Sequence, residues 1–244
     1  MQHLLRSKII SIVIVFLILP FTGFSQLRFG GQNLPDHDSK LYHFGINLGM
    51  NKSHFSFTHH PQFLGQDSVS GIESINSTGI NLAWLVNLNL SSHFDLRTYP
   101  LNLTFSEKAF EYALKYPDAP LGESPITIKK VQSITLSLPI QVKFSSDRID
   151  NLKVYTIAGV KFDYDMASNA GKSNADDLIK LNKFDYSIEG GIGFHIYFPY
   201  FVLSPELKVD WGLSNLHSRN TSLKFSNNIQ KISSRMISFS LTVE

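Results

Sequence analysis

The sequence predicts an all-β chain: a single up-and-down antiparallel transmembrane β-barrel of about eight strands. Three observations predict it. Apolar and polar residues alternate with period two in eight successive segments, and short and long connections between those segments alternate. After residue 25, no run is long and apolar enough for a membrane-spanning helix. A strand sends successive side chains to opposite faces, so each segment has one apolar face and one polar or small face.

Residues 1–25 read as a signal peptide. Arg6 and Lys8 make a positive start, Ile9 to Leu19 a short apolar core, and Pro20 ends it. Gly23 and Ser25 then supply small residues before a cleavage point at Gln26. The apolar run is shorter than the roughly 20 residues a membrane helix needs. Residues 26–40 are polar and show no alternation, which predicts a periplasmic N-terminal segment; residues 41–244 are left for the barrel.

The first strand opens at Tyr42, with Phe44, Ile46, Leu48 and Met50 on one face and His43, Gly45, Asn47, Gly49 and Asn51 on the other. The second sets Ile80, Leu82, Trp84, Val86, Leu88 and Leu90 against Gly79, Asn81, Ala83, Asn87 and Asn89. The third runs from Phe94 to Phe105, with a register-shifting bulge expected at Pro100. The fourth opposes Ile134, Leu136, Leu138, Ile140, Val142 and Phe144 to Ser133, Thr135, Ser137, Gln141 and Lys143. The next three run over 154–166, 184–198 and 201–213, and the last carries Ile237, Phe239, Leu241 and Val243 on its apolar face. Short turns fall at 91–93, 145–151 and 199–200. The long links are read as Lys52–Ser77, Ser106–Lys130, Ala167–Lys183 and Ser214–Lys231. Short periplasmic turns alternating with long outer loops are the pattern of an outer-membrane barrel, with both termini in the periplasm.

A soluble β-sandwich or lipocalin-like barrel would show the same alternation. Long, uniformly apolar faces favour the membrane, and so do charges mixed with Gly and Asn on the opposite faces. Aromatics near strand ends or along the apolar faces (Trp84, Phe144, Tyr164, Phe184, Phe198 and Trp211) suit interfacial girdles. Outer-membrane lipid is therefore the expected surrounding. With Arg6 and Lys8 removed, basic and acidic residues are equal in number, which gives no footprint for nucleic acid. The chain has no cysteine, so it holds no disulfide and no lipid-modified residue at the signal-peptide junction.

On the polar faces, Arg97, Lys143, Lys161 and Lys208 meet Asp165, Glu189 and Glu206, with Asp163, Asp185 and Asp210 also present. Eight strands leave an interior that side chains just fill, so these charges are expected to pair as a structural network. Arg97 and Lys143 are expected to pair among Asp165, Glu189 and Glu206. No catalytic residue, cofactor or metal ligand is assigned: His54, His59 and His60 lack ligand spacing and read as a solvated loop. Gly190, Gly191 and Gly193 lie inside a strand, which excludes a phosphate-binding loop. No enzyme activity is expected.

A further set of motifs runs in order along the chain. Asn33-Leu34-Pro35-Asp36-x-Asp38 precedes His43-Phe44-Gly45-x-Asn47-x-Gly49-x-Asn51; Leu96-Arg97-x-x-Pro100 follows. Then come Leu138-Pro139 with Lys143-Phe144, Gly159-x-Lys161 with Asp165, and Ser204-Pro205-Glu206-x-Lys208 before Gly212-Leu213-Ser214-Asn215. In these motifs the chain resembles the PorT family, outer-membrane components of the type IX secretion and gliding system of Bacteroidetes. The resemblance implies an accessory role in protein secretion, with other secretion components as partners. It also implies a docking role for Asn33, Leu34, Pro35, Asp36 and Asp38. The alternative expectation is a stand-alone barrel whose long outer loops bind ligands or surfaces.

Overall fold

In the computed structural model, residues 31–61, 69–115, 124–167, 181–218 and 228–244 are described; the expected signal peptide lies outside them. Among the described residues a short 3-10 turn at His37–Ser39 leads into nine strands: β1 Tyr42–His59, β2 Val69–Ile75, β3 Ser77–Asn89, β4 Phe94–Leu114, β5 Ile126–Ser145, β6 Leu152–Asp165, β7 Phe184–Tyr197, β8 Val202–Gly212 and β9 Ile229–Val243. All pairings are antiparallel. β1 pairs with both β3 and β9, and β3 to β9 pair one with the next in succession, so eight strands close a ring. β2 is the ninth: it lies on β4 beyond the end of β3, pairing Ile72 with Tyr112. The expected bulge is present, with the ladders shifting register at Thr98/Asn102 in β4 and at Trp84/Val86 in β3.

Around the ring, the faces sort as the alternation requires. In β1, Tyr42, Phe44, Ile46, Leu48 and Met50 are exposed while His43, Asn47 and Asn51 are buried. This is the reverse of a soluble barrel, since the greasy side faces out. Aromatics cluster at the short-turn rim, where Phe94 packs on Phe144 (ring centroids 5.1 Å) and Phe198 stacks on Phe201 (4.8 Å). At the other edge of the apolar band Tyr164 meets Phe184 (5.2 Å).

The long links are shorter than the alternation suggested. Strands β1, β4, β5 and β9 run on into Lys52–Ser77, Ser106–Lys130 and Ser214–Lys231, and β2 lies in the first of these. His54 and His59 accordingly belong to β1 and not to a loop. β4 is 21 residues long, roughly 70 Å at strand rise, whereas a bilayer needs only about 9–11 residues. The extra length is hidden in the sequence because its apolar phase inverts. Beyond the band Phe55, Phe110, Tyr112 and Ile232 turn toward the axis and are buried, while Lys52, Ser56 and Lys231 are exposed. With Ile72, Leu114, Leu181, Leu216 and Ile229 they form an apolar core above the band. The chain thus meets two solvents, lipid around the band and water around the extension.

Candidate functional site

The lumen is built from the inward positions of every ring strand. At its centre the Arg97 guanidinium, fully buried on β4, donates to Glu206 Oε1 on β8 at 2.5 Å. The Tyr155 hydroxyl donates to the same oxygen at 2.7 Å, Thr242 approaches it at 3.4 Å, and Lys208 Nζ lies 3.7 Å from Oε2. The Arg97 guanidinium also sits over the Tyr99 ring at 5.3 Å and the Tyr155 ring at 5.8 Å. A glycine makes room for this: a Cβ at Gly193, opposite Glu206 in the β7–β8 ladder, would come within 2.4 Å of the Tyr155 ring. The Gly193 backbone there must approach an aromatic ring, which no larger residue allows.

Toward the extension, Lys161 Nζ lies 3.2 Å from Asp210 and 3.7 Å from Asp163, and Gln141 donates to Glu189 at 2.8 Å. Asp165 accepts from the Ser133 hydroxyl at 2.9 Å. Lys108 donates to Ser234 at 3.0 Å and lies over the Phe55 ring, where the polar lumen gives way to the apolar core.

The partner of Lys143 differs from expectation. It pairs with Asp95 at 2.6 Å and with none of Asp165, Glu189 or Glu206. Register decides this, because Asp95 lies directly opposite Lys143 in the β4–β5 ladder. Asp95 is absent from the charges that the sequence analysis singles out. Sequence reasoning also missed Tyr99, Tyr155 and His195, whose lumen positions follow from the same alternation once the register is known. His195 lies 3.1 Å from Lys143 Nζ and 2.7 Å from Ser204 Oγ.

Cavities of about 30 and 50 Å³ lie on the extension side of this network and one of about 20 Å³ at the short-turn mouth. The latter is room for about one water. In planar bilayers the purified protein should therefore show no stable porin-size conductance; a steady open pore would contradict a filled lumen.

The N-terminal segment closes the short-turn mouth. Asn33 donates from its side chain to the Tyr197 carbonyl (3.0 Å) and from its backbone to Asn151 Oδ1 (2.9 Å). Arg148, in the β5–β6 turn, donates to the carbonyls of Asn33 and Leu34 and lies over the Tyr197 ring at 3.6 Å. Leu34 takes a left-handed conformation with φ 50°, which costs roughly 1–2 kcal/mol for a side-chain-bearing residue and is tolerated because these bonds hold it. Asp38 accepts from the Tyr197 hydroxyl (2.7 Å) and from Lys153 (3.4 Å), with Arg148 at 3.6 Å. Burial alone would raise the Asp38 carboxyl; the Tyr197 hydrogen bond and the charges of Lys153 and Arg148 hold it below its ordinary value. Burial and the neighbouring His43 push His37 down to about 4.

The segment for which the resemblance implies docking is thereby divided. Asn33, Leu34 and Asp38 hold the segment to its own barrel, while Pro35 and Asp36 are exposed. Asp38→Ala is expected to free the segment, since it strands Lys153 and Arg148 without their carboxylate. A fluorophore on Asp36→Cys, the only thiol in a cysteine-free chain, should then lose anisotropy while heat-modifiability is kept. Unchanged anisotropy would deny Asp38 this anchoring role.

Residues 24–218 match the family model described as outer membrane protein beta-barrel domain. Among solved structures, the chain is similar to Neisserial surface protein A at 11% identity, over 84% of this chain and 99% of that one, with a TM-score of 0.38. It is similar to the outer membrane protein OprG of Pseudomonas aeruginosa at 10% identity, over 81% and 95% of the two chains, with a TM-score of 0.40. The N-terminal β-barrel domain of Pseudomonas aeruginosa OprF is 10% identical over 80% and 96%, with a TM-score of 0.31. No curated protein matches the chain.

Proposed function

The chain belongs to the outer membrane protein beta-barrel domain family, and from that premise we propose that it is a non-enzymatic accessory component of a PorT-like protein-secretion machinery. The filled lumen is the observation that carries the accessory half of this reading: a barrel crossed by the Arg97–Glu206–Tyr155 cluster and closed at one mouth by its own N-terminal segment is unsuited to be the conduit. The motif resemblance from Asn33 to Asn215 supports the secretion half. Pro35 and Asp36, exposed on a segment pinned at both ends, offer a partner a pre-ordered contact, which lowers the entropy cost of binding.

In this reading the short-turn mouth faces the periplasm and residues 1–25 are removed on export. A tag inserted at 62–68 should be labelled on intact cells, and one beside Ser92 or Ser146 only after the outer membrane is opened. The reverse result would invert the orientation, and labelling of both would reject the barrel.

The test of function is a deletion strain. Secreted proteins should accumulate inside the envelope, and the tagged barrel should copurify with other envelope proteins after mild detergent extraction. Normal secretion from the deletion strain would overturn the secretion role. It would favour a second reading, a stand-alone barrel that binds ligands or surfaces at its far end. The observation behind that reading is the packed extension, which presents β1, β2, β4 and β9 as an ordered platform beyond the apolar band.

A further inference from the structure

Three side chains with metal-ligating atoms meet at the short-turn mouth, each from a different part of the chain. His37 comes from the 3-10 turn of the N-terminal segment, His43 from the inward face at the start of β1, and Glu244 from the residue after β9. One ring nitrogen from each histidine and one Glu244 carboxylate oxygen all lie within 4.8 Å of one another. We propose that His37, His43 and Glu244 form a site for a divalent transition-metal ion, best suited to Zn2+, that staples the N-terminal segment to the β1–β9 seam.

The spacing fits. His37 Nε2 and His43 Nδ1 are 3.2 Å apart, and two ligands at about 2.0–2.1 Å in tetrahedral array lie roughly 3.3–3.4 Å from each other. A plain imidazole–imidazole hydrogen bond accounts for that distance alone but leaves the rest of the cluster unexplained. Glu244 Oε1 is out of solvent and has no hydrogen-bond partner among the described residues. A buried carboxylate oxygen without a donor is costly, and a cation relieves that cost.

The backbone has left room for the third ligand. A Cβ at Gly45 would approach Glu244 Cγ to 2.9 Å and the Val243 carbonyl to 2.6 Å, so only glycine there lets Glu244 lie inward. The mouth cavity of about 20 Å³ admits one ion or one water. Two imidazoles and one carboxylate are a zinc donor set; calcium and magnesium ask for oxygen ligands throughout. The nearby Lys143 is neutralised by Asp95, which lessens its repulsion of a cation.

Such an ion would link the first strand, the last strand and the segment that closes the mouth. It would act as a clasp where the ring joins its two ends, and this role stands whether or not the protein serves secretion.

The test uses the full mature chain, purified in detergent, stripped with a chelator and titrated calorimetrically with Zn2+ alone. One Zn2+ per chain is expected, uncompeted by excess Ca2+. His37→Ala and Glu244→Gln should each abolish that uptake, while the double variant His59→Ala/His60→Ala keeps it. Heat-modifiability checks that each variant remains a folded barrel. If His37→Ala fails that check, Glu244→Gln, which keeps size and shape, decides. No stoichiometric uptake by the native protein would overturn the site. Uptake undiminished in folded Glu244→Gln, or lost with the β1 and loop histidines, would overturn it equally.

Discussion

Arg97→Ala is expected to lower the stability of the barrel by about 3–5 kcal/mol, the usual cost of breaking a buried ion pair by removing one partner. The reason lies in what remains. Glu206 has no exposed side-chain surface, and the Arg97 guanidinium 2.5 Å away is its main compensation. Tyr155 still donates to it, but Lys208 stands at 3.7 Å and cannot replace a bonded guanidinium without moving. The truncation also opens a void between the rings of Tyr99 and Tyr155, which the guanidinium now covers. Removing both charges is a different experiment. Arg97→Met with Glu206→Met leaves neither member of the pair unpaired and should recover part of the loss, the remainder being the cost of leaving Lys208 and the Tyr155 hydroxyl without Glu206. Urea unfolding in lipid vesicles, read by heat-modifiability, separates the cases. A single variant within about 1 kcal/mol of the native protein would mean that water enters the lumen and screens Glu206.

How far the sequence could be read depended on whether periodicity alone decided the answer. The eight ring strands, the bulge at Pro100 and the lipid-facing set of Phe44, Trp84, Phe144 and Trp211 follow from period two, because the pleat and the bilayer impose it. Lys143 shows the limit. Its face was legible, but its partner Asp95 was set by a cross-strand register that one strand's pattern does not contain. Asn33 and Asp38 show another: the sequence marks a polar segment without alternation, and only the fold brings it to Tyr197, Arg148 and Lys153. The metal-ligating group was invisible for the same reason. His37 and His43 are close in sequence, but Glu244 joins them only when the last strand closes on the first. The largest misreading, loops in place of strands beyond Lys52 and Ser106, arose because the apolar face changes side there.

That change of side predicts a barrel with two separable stabilities. Phe110→Ala is expected to cost about 3–5 kcal/mol, and the loss should be confined to the extension. Phe110 has no exposed surface; it stacks on Phe55 with ring centroids 5.1 Å apart and meets Phe57 edge-on at 5.6 Å. Its neighbours in this core come from β1, β2, β4 and β9 and from the links that carry Leu181 and Leu216. Water surrounds that core, so its burial is driven by the hydrophobic effect, and a truncated ring leaves a cavity that rigid strands cannot close. The ring strands within the band draw on lipid and on the lumen network, whereas Phe110 belongs to the apolar core of the extension. Hydrogen exchange in lipid vesicles should then show amides of 54–59, 69–75 and 109–114 exchanging about a hundredfold faster or more. Amides of 42–50 and 237–243 should keep their native protection. Loss of protection throughout, or of heat-modifiability, would show that the extension and the membrane band open as one unit.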